Sequence, residues 1–184
     1  MKVTLYDNNP GPGAMNWFLK LAWLVGCWFQ KLVGAVDDYH AINSWEEAKE
    51  WLAARGSLEV IQYWGHGSSG TIWLAENPIP MKEWLSLKPY LTPDSLLWFR
   101  TCSTFKGWYG QYFSKTLADG LNCTIGGHTR VIGIWQGGLY TRKPNSFASW
   151  SMNEGGEPSK LREDFKFWNR HTIFCMRTSI PKDW

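Results

Sequence analysis

Two side chains in this sequence, His66 and Cys102, could together do covalent chemistry. His66 follows the apolar run Glu59-Val60-Ile61-Gln62-Tyr63-Trp64 and lies between Gly65 and Gly67. Cys102 follows Ser95-Leu96-Leu97-Trp98-Phe99-Arg100 and sits in the polar turn Thr101-Cys102-Ser103-Thr104. Runs rich in β-branched and aromatic residues that break at polar or glycine turns predict strands. If these strands are parallel neighbours, thiol and imidazole reach the same sheet edge. A thiolate is a strong nucleophile, and an imidazole beside it can carry protons. A helix beginning shortly after the turn, together with a nearby cation, would lower the thiol pKa. The glycines beside His66 let backbone approach a ligand closely. The N–H groups of Gly67 and Cys102 are then candidates for stabilising an oxyanion.

Three more residues fall at the carboxyl ends of predicted strands: Asp7, Arg100 and His128. Arg100 in a pocket would favour a substrate carboxylate through a bidentate contact. Asp7 could pair with Arg100 or favour a basic substrate instead, and His128 could border the pocket. An ordinary ion pair or solvated side chains is the plainer reading of Asp7 and Arg100. Cys27, Cys123 and Cys175 read as small buried hydrophobes. His40 and His171 have no local constellation. No His/Cys/carboxylate cluster has ligand spacing, so neither metal nor cofactor is expected.

The elements that must position these residues alternate. A strand is expected over 2–7, a helix from about 14 to 34, an extended piece at 36–42 and a helix from 44 to 55, opened by the capping-box spacing Ser44-Trp45-Glu46-Glu47. Strand 58–64 leads into a small hairpin around 71–74. A helix over 81–91, strand 96–100, helix 108–121 and strand 123–128 follow. Residues 131–135 either extend that strand or form the next one, 136–157 reads as loop, 159–168 as an amphipathic helix and 172–178 as a final strand. Strands alternating with helices predict an α/β fold, a three-layer α/β/α sandwich with a mainly parallel sheet. Sites in such sheets lie beyond the carboxyl ends of the strands.

The 184 residues suit one domain with a full core. A net charge of +3 without a dense basic run argues against nucleic acid. Four scattered Cys argue against a zinc ribbon or disulfide scaffold and for a reducing, cytoplasmic setting. The amino terminus does not read as a signal peptide. Fourteen Trp exceed what a core needs, so some should line a cleft or a partner surface. The stretch Trp17 to Val36 is strongly apolar but interrupted by Lys20, Gln30 and Lys31. It reads first as a buried helix of the domain, then as an interfacial or partner-binding helix. A membrane span, and membrane association generally, is the least expected.

A strand ending in His-Gly, then a hairpin, a helix, and a strand ending in Cys before a glycine-bearing turn resembles the caspase-like (clan CD) cysteine peptidases. The stretch Gly65-His66-Gly67-Ser68-Ser69-Gly70-Thr71-Ile72-Trp73-Leu74 is most similar to bacterial CHAT and gingipain-like members. So is the Cys102 segment with Gly107, Gly110, Phe113 and Leu117-Ala118. The resemblance covers roughly residues 58 to 133; elsewhere it is one of topology. The Gln-Ala-Cys-x-Gly signature of caspases proper is absent. Arg100 stands where metacaspases place an Asp that binds a basic side chain. The resemblance implies a caspase-like fold and a cysteine endopeptidase with a His66–Cys102 dyad, acting on protein or peptide substrates. It also implies control by an activating or regulatory protein partner. The alternative is a non-catalytic module of the same fold that binds a partner protein through its Trp-rich surface.

Overall fold

The computed structural model describes residues 1–133, 136–155, 170–177 and 180. β1 (Lys2–Asp7), α1 (Ala14–Leu32), β2 (Asp38–Ile42), α2 (Trp45–Ala53) and β3 (Leu58–Trp64) follow the expected alternation. β4 (Gly67–Ser68), β5 (Thr71–Leu74) and β6 (Asn77–Pro78) form a small antiparallel sheet beside the site. α3 (Met81–Leu85), β7 (Leu91–Arg100), α4 (Gly107–Leu121), β8 (Thr124–His128), β9 (Leu139–Arg142) and α5 (Arg170–Arg177) complete the described elements. The main sheet has six strands in the order β2-β1-β3-β7-β8-β9. Its neighbours are parallel except β8 and β9. The fold is α/β with a mostly parallel central sheet, compatible with a three-layer sandwich.

Connection direction decides which face each helix covers, because crossovers between parallel strands are right-handed. The step from β1 to β2 runs one way along the sheet; those from β2 to β3, β3 to β7 and β7 to β8 run the other. α1 therefore lies on one face, and α2, α3 and α4 on the opposite one. The latter face holds the main core, where Val3, Leu5, Ile61, Tyr63, Leu97 and Phe99 meet Leu52, Trp84, Phe113 and Leu117. The Trp84 ring sits edge-on to Trp45, Tyr63 and Phe99, with centroids 4.5, 5.3 and 4.8 Å away. On the α1 face, Cys27 packs with Tyr6 and Trp64, and Cys175 of α5 packs with Trp98. Two helices thus flank the ends of β3 and β7 and leave a gap between them.

Four local expectations change. α1 is not a buried helix: only Cys27 and Gln30 are buried in it. Its small and polar stripe turns inward, while Trp17, Phe18, Leu21, Trp28 and Leu32 are exposed. It lies over β1 and β2 and reaches the end of β3 at Trp64, and one narrow stripe is enough to seat it. No helix of the described residues is long and apolar enough to cross a membrane. The expected strand at 172–178 is α5; Thr172 and Cys175 are buried three residues apart, the spacing of a helix lying on a sheet. β9 falls in the expected loop, as four residues pairing antiparallel with β8. The helix at 81–91 shortens to α3 and a 3₁₀ turn (Lys88–Tyr90) containing Pro89. The expected 159–168 helix and residues 134–135 lie outside the described residues.

The capping box forms with a shift. Ser44 Oγ accepts the Glu47 N–H at 3.1 Å, and the Glu47 carboxylate accepts the N–H of Asn43, not of Ser44, at 2.9 Å.

Candidate active site

β3 and β7 are adjacent and parallel, with Trp64 opposite Arg100. The loops that follow them therefore leave the same edge, and they dock on each other. The Gly70 N–H donates to Thr104 O at 3.0 Å, and the Ser69 hydroxyl donates to Lys106 O at 2.5 Å. Gly67 lies against the Cys102 turn so closely that a Cβ there would stand 2.6 Å from Thr104 Oγ1 and 2.9 Å from Cys102 O. The turn is also held from the end of β8 and the residues just after it, where Ser103 and Phe105 donate their N–H groups to Arg130 O and His128 O at 2.8 and 2.9 Å. Ser103 has φ 52°, a region that non-glycine residues seldom adopt and that recurs at functional turns.

His66 and Cys102 face one cavity of about 400 Å³. α1 contributes Trp23, Gly26 and Gln30 to it, α5 contributes Met176, and Ile132 and Gln136 come from the segment after β8. Both candidate catalytic residues are half-buried. The His66 ring rests edge-on against Trp23, with centroids 5.6 Å apart. No hydrogen bond joins His66 to Cys102; instead the thiol donates to Ile132 O at 3.6 Å. Catalytic hydrogen bonds are often long or absent before substrate binds.

The electrostatics correct one expectation. Burial pushes the Cys102 thiol above its ordinary value, and a backbone hydrogen bond at Ile132 only partly opposes this. Arg100 acts on Cys27 and Cys175 rather than on Cys102, because its guanidinium lies on the α1–α5 face. Both effects together favour the neutral thiol over the thiolate at Cys102. Burial drives the other three cysteines further, up to about 12. Iodoacetamide should therefore modify Cys102 first, since it alone of the four is not fully buried and its thiol is raised less than the others. The rate should rise about tenfold per pH unit through the neutral and mildly alkaline range, because thiolate is the reacting form. Mass mapping of adducts checks this; faster labelling of Cys27, Cys123 or Cys175 would contradict it.

The structure separates the three expected pocket residues. Arg100 lines the cavity. Asp7 does not: its buried carboxylate accepts the Asn9 N–H at 2.8 Å and the Ala75 N–H at 3.1 Å, and it makes no ion pair with Arg100. Burial raises the Asp7 carboxyl pKa; those two N–H groups and the through-space pull of His66 and Lys20 oppose the rise. His128 is also turned away. It is fully buried, with Nδ1 2.9 Å from Gly137 O and Nε2 4.0 Å from Cys175 Sγ. Burial lowers its pKa to about 3, so it is neutral and braces the segment between β8 and β9.

Sequence reasoning missed Trp23, Gln30 and Gln136 as site residues. The readable signal is the interruption of the apolar stretch at Gln30, the polar residue of α1 that the fold turns toward the cavity. Gly26 makes the close seating of α1 possible, since a Cβ there would stand 2.7 Å from the Trp64 ring. Gly26→Ala should push α1 off Trp64 and cost about 1–3 kcal/mol by overpacking. Urea unfolding checks this; an unchanged midpoint would refute it. Among the described residues no group of three His, Cys, Asp or Glu could hold a metal ion. Comparison with protein-family models, curated proteins and solved structures finds no match to this chain.

Proposed function

We propose that the protein is a cysteine endopeptidase with a caspase-like sandwich fold and a His66–Cys102 dyad. One observation carries the reading: the loops after two adjacent parallel strands dock so that thiol and imidazole face one cavity. Cys102 sulfur attacks the scissile carbonyl carbon while His66 takes the thiol proton. The imidazolium gives that proton to the leaving amine as the C–N bond breaks, leaving a thioester. His66 then deprotonates a water, which attacks the thioester and releases the acid and the thiol. The N–H groups of Gly67 and Cys102 stabilise the oxyanion. A protein or peptide is the substrate, and a reducing compartment such as the cytoplasm suits the nucleophile.

The test is incubation of the wild type and Cys102→Ala with an unfolded protein and a peptide library, read by mass spectrometry. Cleavage by the wild type alone is expected. No cleavage by a folded wild type, together with no Cys102 labelling by peptidyl acyloxymethyl ketones, would sink the reading.

The second reading is a non-catalytic module that binds a partner protein. The exposed aromatic face of α1 favours it, because Trp17 and Trp28 are 60% and 54% exposed. On that reading, Trp17→Ser with Trp28→Ser abolishes partner capture while Cys102→Ala does not.

A further inference from the structure

We infer that the cavity beside Cys102 is a carboxylate pocket, in which the Arg100 guanidinium receives an acidic side chain. If the chain is a peptidase, that side chain belongs to the residue on the amino side of the scissile bond. This placement rests on the peptidase reading; the carboxylate site does not.

Arg100 is a buried cation without a counter-charge. It is 5% exposed. Its guanidinium lies 4.1 Å over the Trp64 ring and 5.4 Å from the Trp98 ring centroid. Nε donates to Gln136 Oε1 at 3.1 Å, and Nη1 donates to Gln62 Oε1 at 3.3 Å. Both acceptors are neutral amides. No carboxylate of the described residues pairs with it. Nη2 has no acceptor there either, so one arm of the fork remains open on a side chain that lines the cavity. A buried charge left uncompensated is strongly unfavourable, and a carboxylate is the group that fits a guanidinium edge.

The surroundings agree. Gln30, on the opposite wall, is buried with its Oε1 unpartnered, and Gln62 Nε2 beside Arg100 is also unpartnered. Gln62 Nε2 is a free donor on the guanidinium's flank, which suits a carboxylate, whereas the Gln30 oxygen is an acceptor and suits a peptide N–H of the ligand. Trp23, Trp64, Ile132 and Met176 make the rest of the wall apolar, which strengthens a charge-assisted contact and accommodates a methylene. A basic side chain would meet the Arg100 charge instead.

The experiment uses amidated hexapeptides identical except at the third residue, which is Asp, Glu, Asn, Gln, Lys or Leu. Cleavage by the wild type is measured, and calorimetry measures binding to Cys102→Ala. Cleavage after Asp or Glu should exceed that after Asn or Gln by about 100-fold or more, because a site built around a charged partner rejects the isostere lacking it. Arg100→Gln should abolish this ratio; since the ratio is read in the wild type, a misfolded variant does not remove the test. Efficient cleavage after Lys or Leu with no acidic preference would overturn the carboxylate pocket and leave the peptidase reading intact. No cleavage, but tighter binding of the Asp peptide to Cys102→Ala, would support the pocket and count against the peptidase. Neither cleavage nor acidic preference in binding would overturn both.

Discussion

Cys102→Ala should lower peptide cleavage by at least about 10⁴-fold, since removing a covalent nucleophile removes the reaction path itself. His66→Ala should cost about 10²–10⁴-fold, the range of a lost general acid–base group. The double variant should be little slower than Cys102→Ala, because residues acting as one unit lose their function together. Single-turnover assays on the best library peptide measure all three. Cys102 is half-buried and its thiol makes one long bond to Ile132 O at 3.6 Å, so the Cys102→Ala fold should survive. A Cys102→Ala protein that still cleaves would remove the covalent mechanism. The pH profile carries a second mark of the same site. Because burial raises the thiol pKa, the resting thiolate fraction at pH 7 is below that of free cysteine. Activity should therefore climb toward the alkaline side, and a nucleophile already ionised at pH 6 would give a flat limb there.

The second large effect is expected at Gly67. A Cβ at that position would stand 2.6 Å from Thr104 Oγ1, 2.7 Å from Thr101 Cβ and 2.9 Å from Cys102 O. The hydroxyl can rotate, but the Cys102 carbonyl is backbone and cannot. Gly67→Ala must then separate the His66 loop from the Cys102 turn. We expect a loss of about 1–3 kcal/mol in stability by overpacking. Cleavage should fall by about 100-fold or more, the penalty of ångström-scale misplacement of reacting groups. Gly133→Ala is the control for stability, since a Cβ there meets nothing within 4 Å. Urea midpoints of both variants and the cleavage rate of Gly67→Ala test this. Equal stability of Gly67→Ala and the wild type would show that the two loops are not locked together.

The sequence by itself determined the strand–helix alternation, the parallel pairing of the central strands and the delivery of His66 and Cys102 to one edge. These follow from local physics. β3 and β7 are short apolar runs that end at polar or glycine turns, and helices of suitable length separate the strands. Direction along the sheet then puts their carboxyl ends together.

Only the tertiary structure decided what the edge residues do there. Asp7, Arg100 and His128 all stand near the carboxyl edge, yet only Arg100 lines the cavity. Side chains at a strand end can turn to either face, and the hydrogen bonds offered by Ala75, Asn9 and Gly137 drew two of them away. The thiol pKa was likewise settled by burial, which no local motif encodes. α1 is the clearest case. Its helical period was readable, but amphipathicity alone points the apolar stripe inward. The single reversal of strand order leaves α1 alone over the β1–β2 side, and Gly26, Cys27 and Gln30 seat it there. The cavity exists because that seating is narrow, and this balance between helix packing and sheet order is a property of the whole chain.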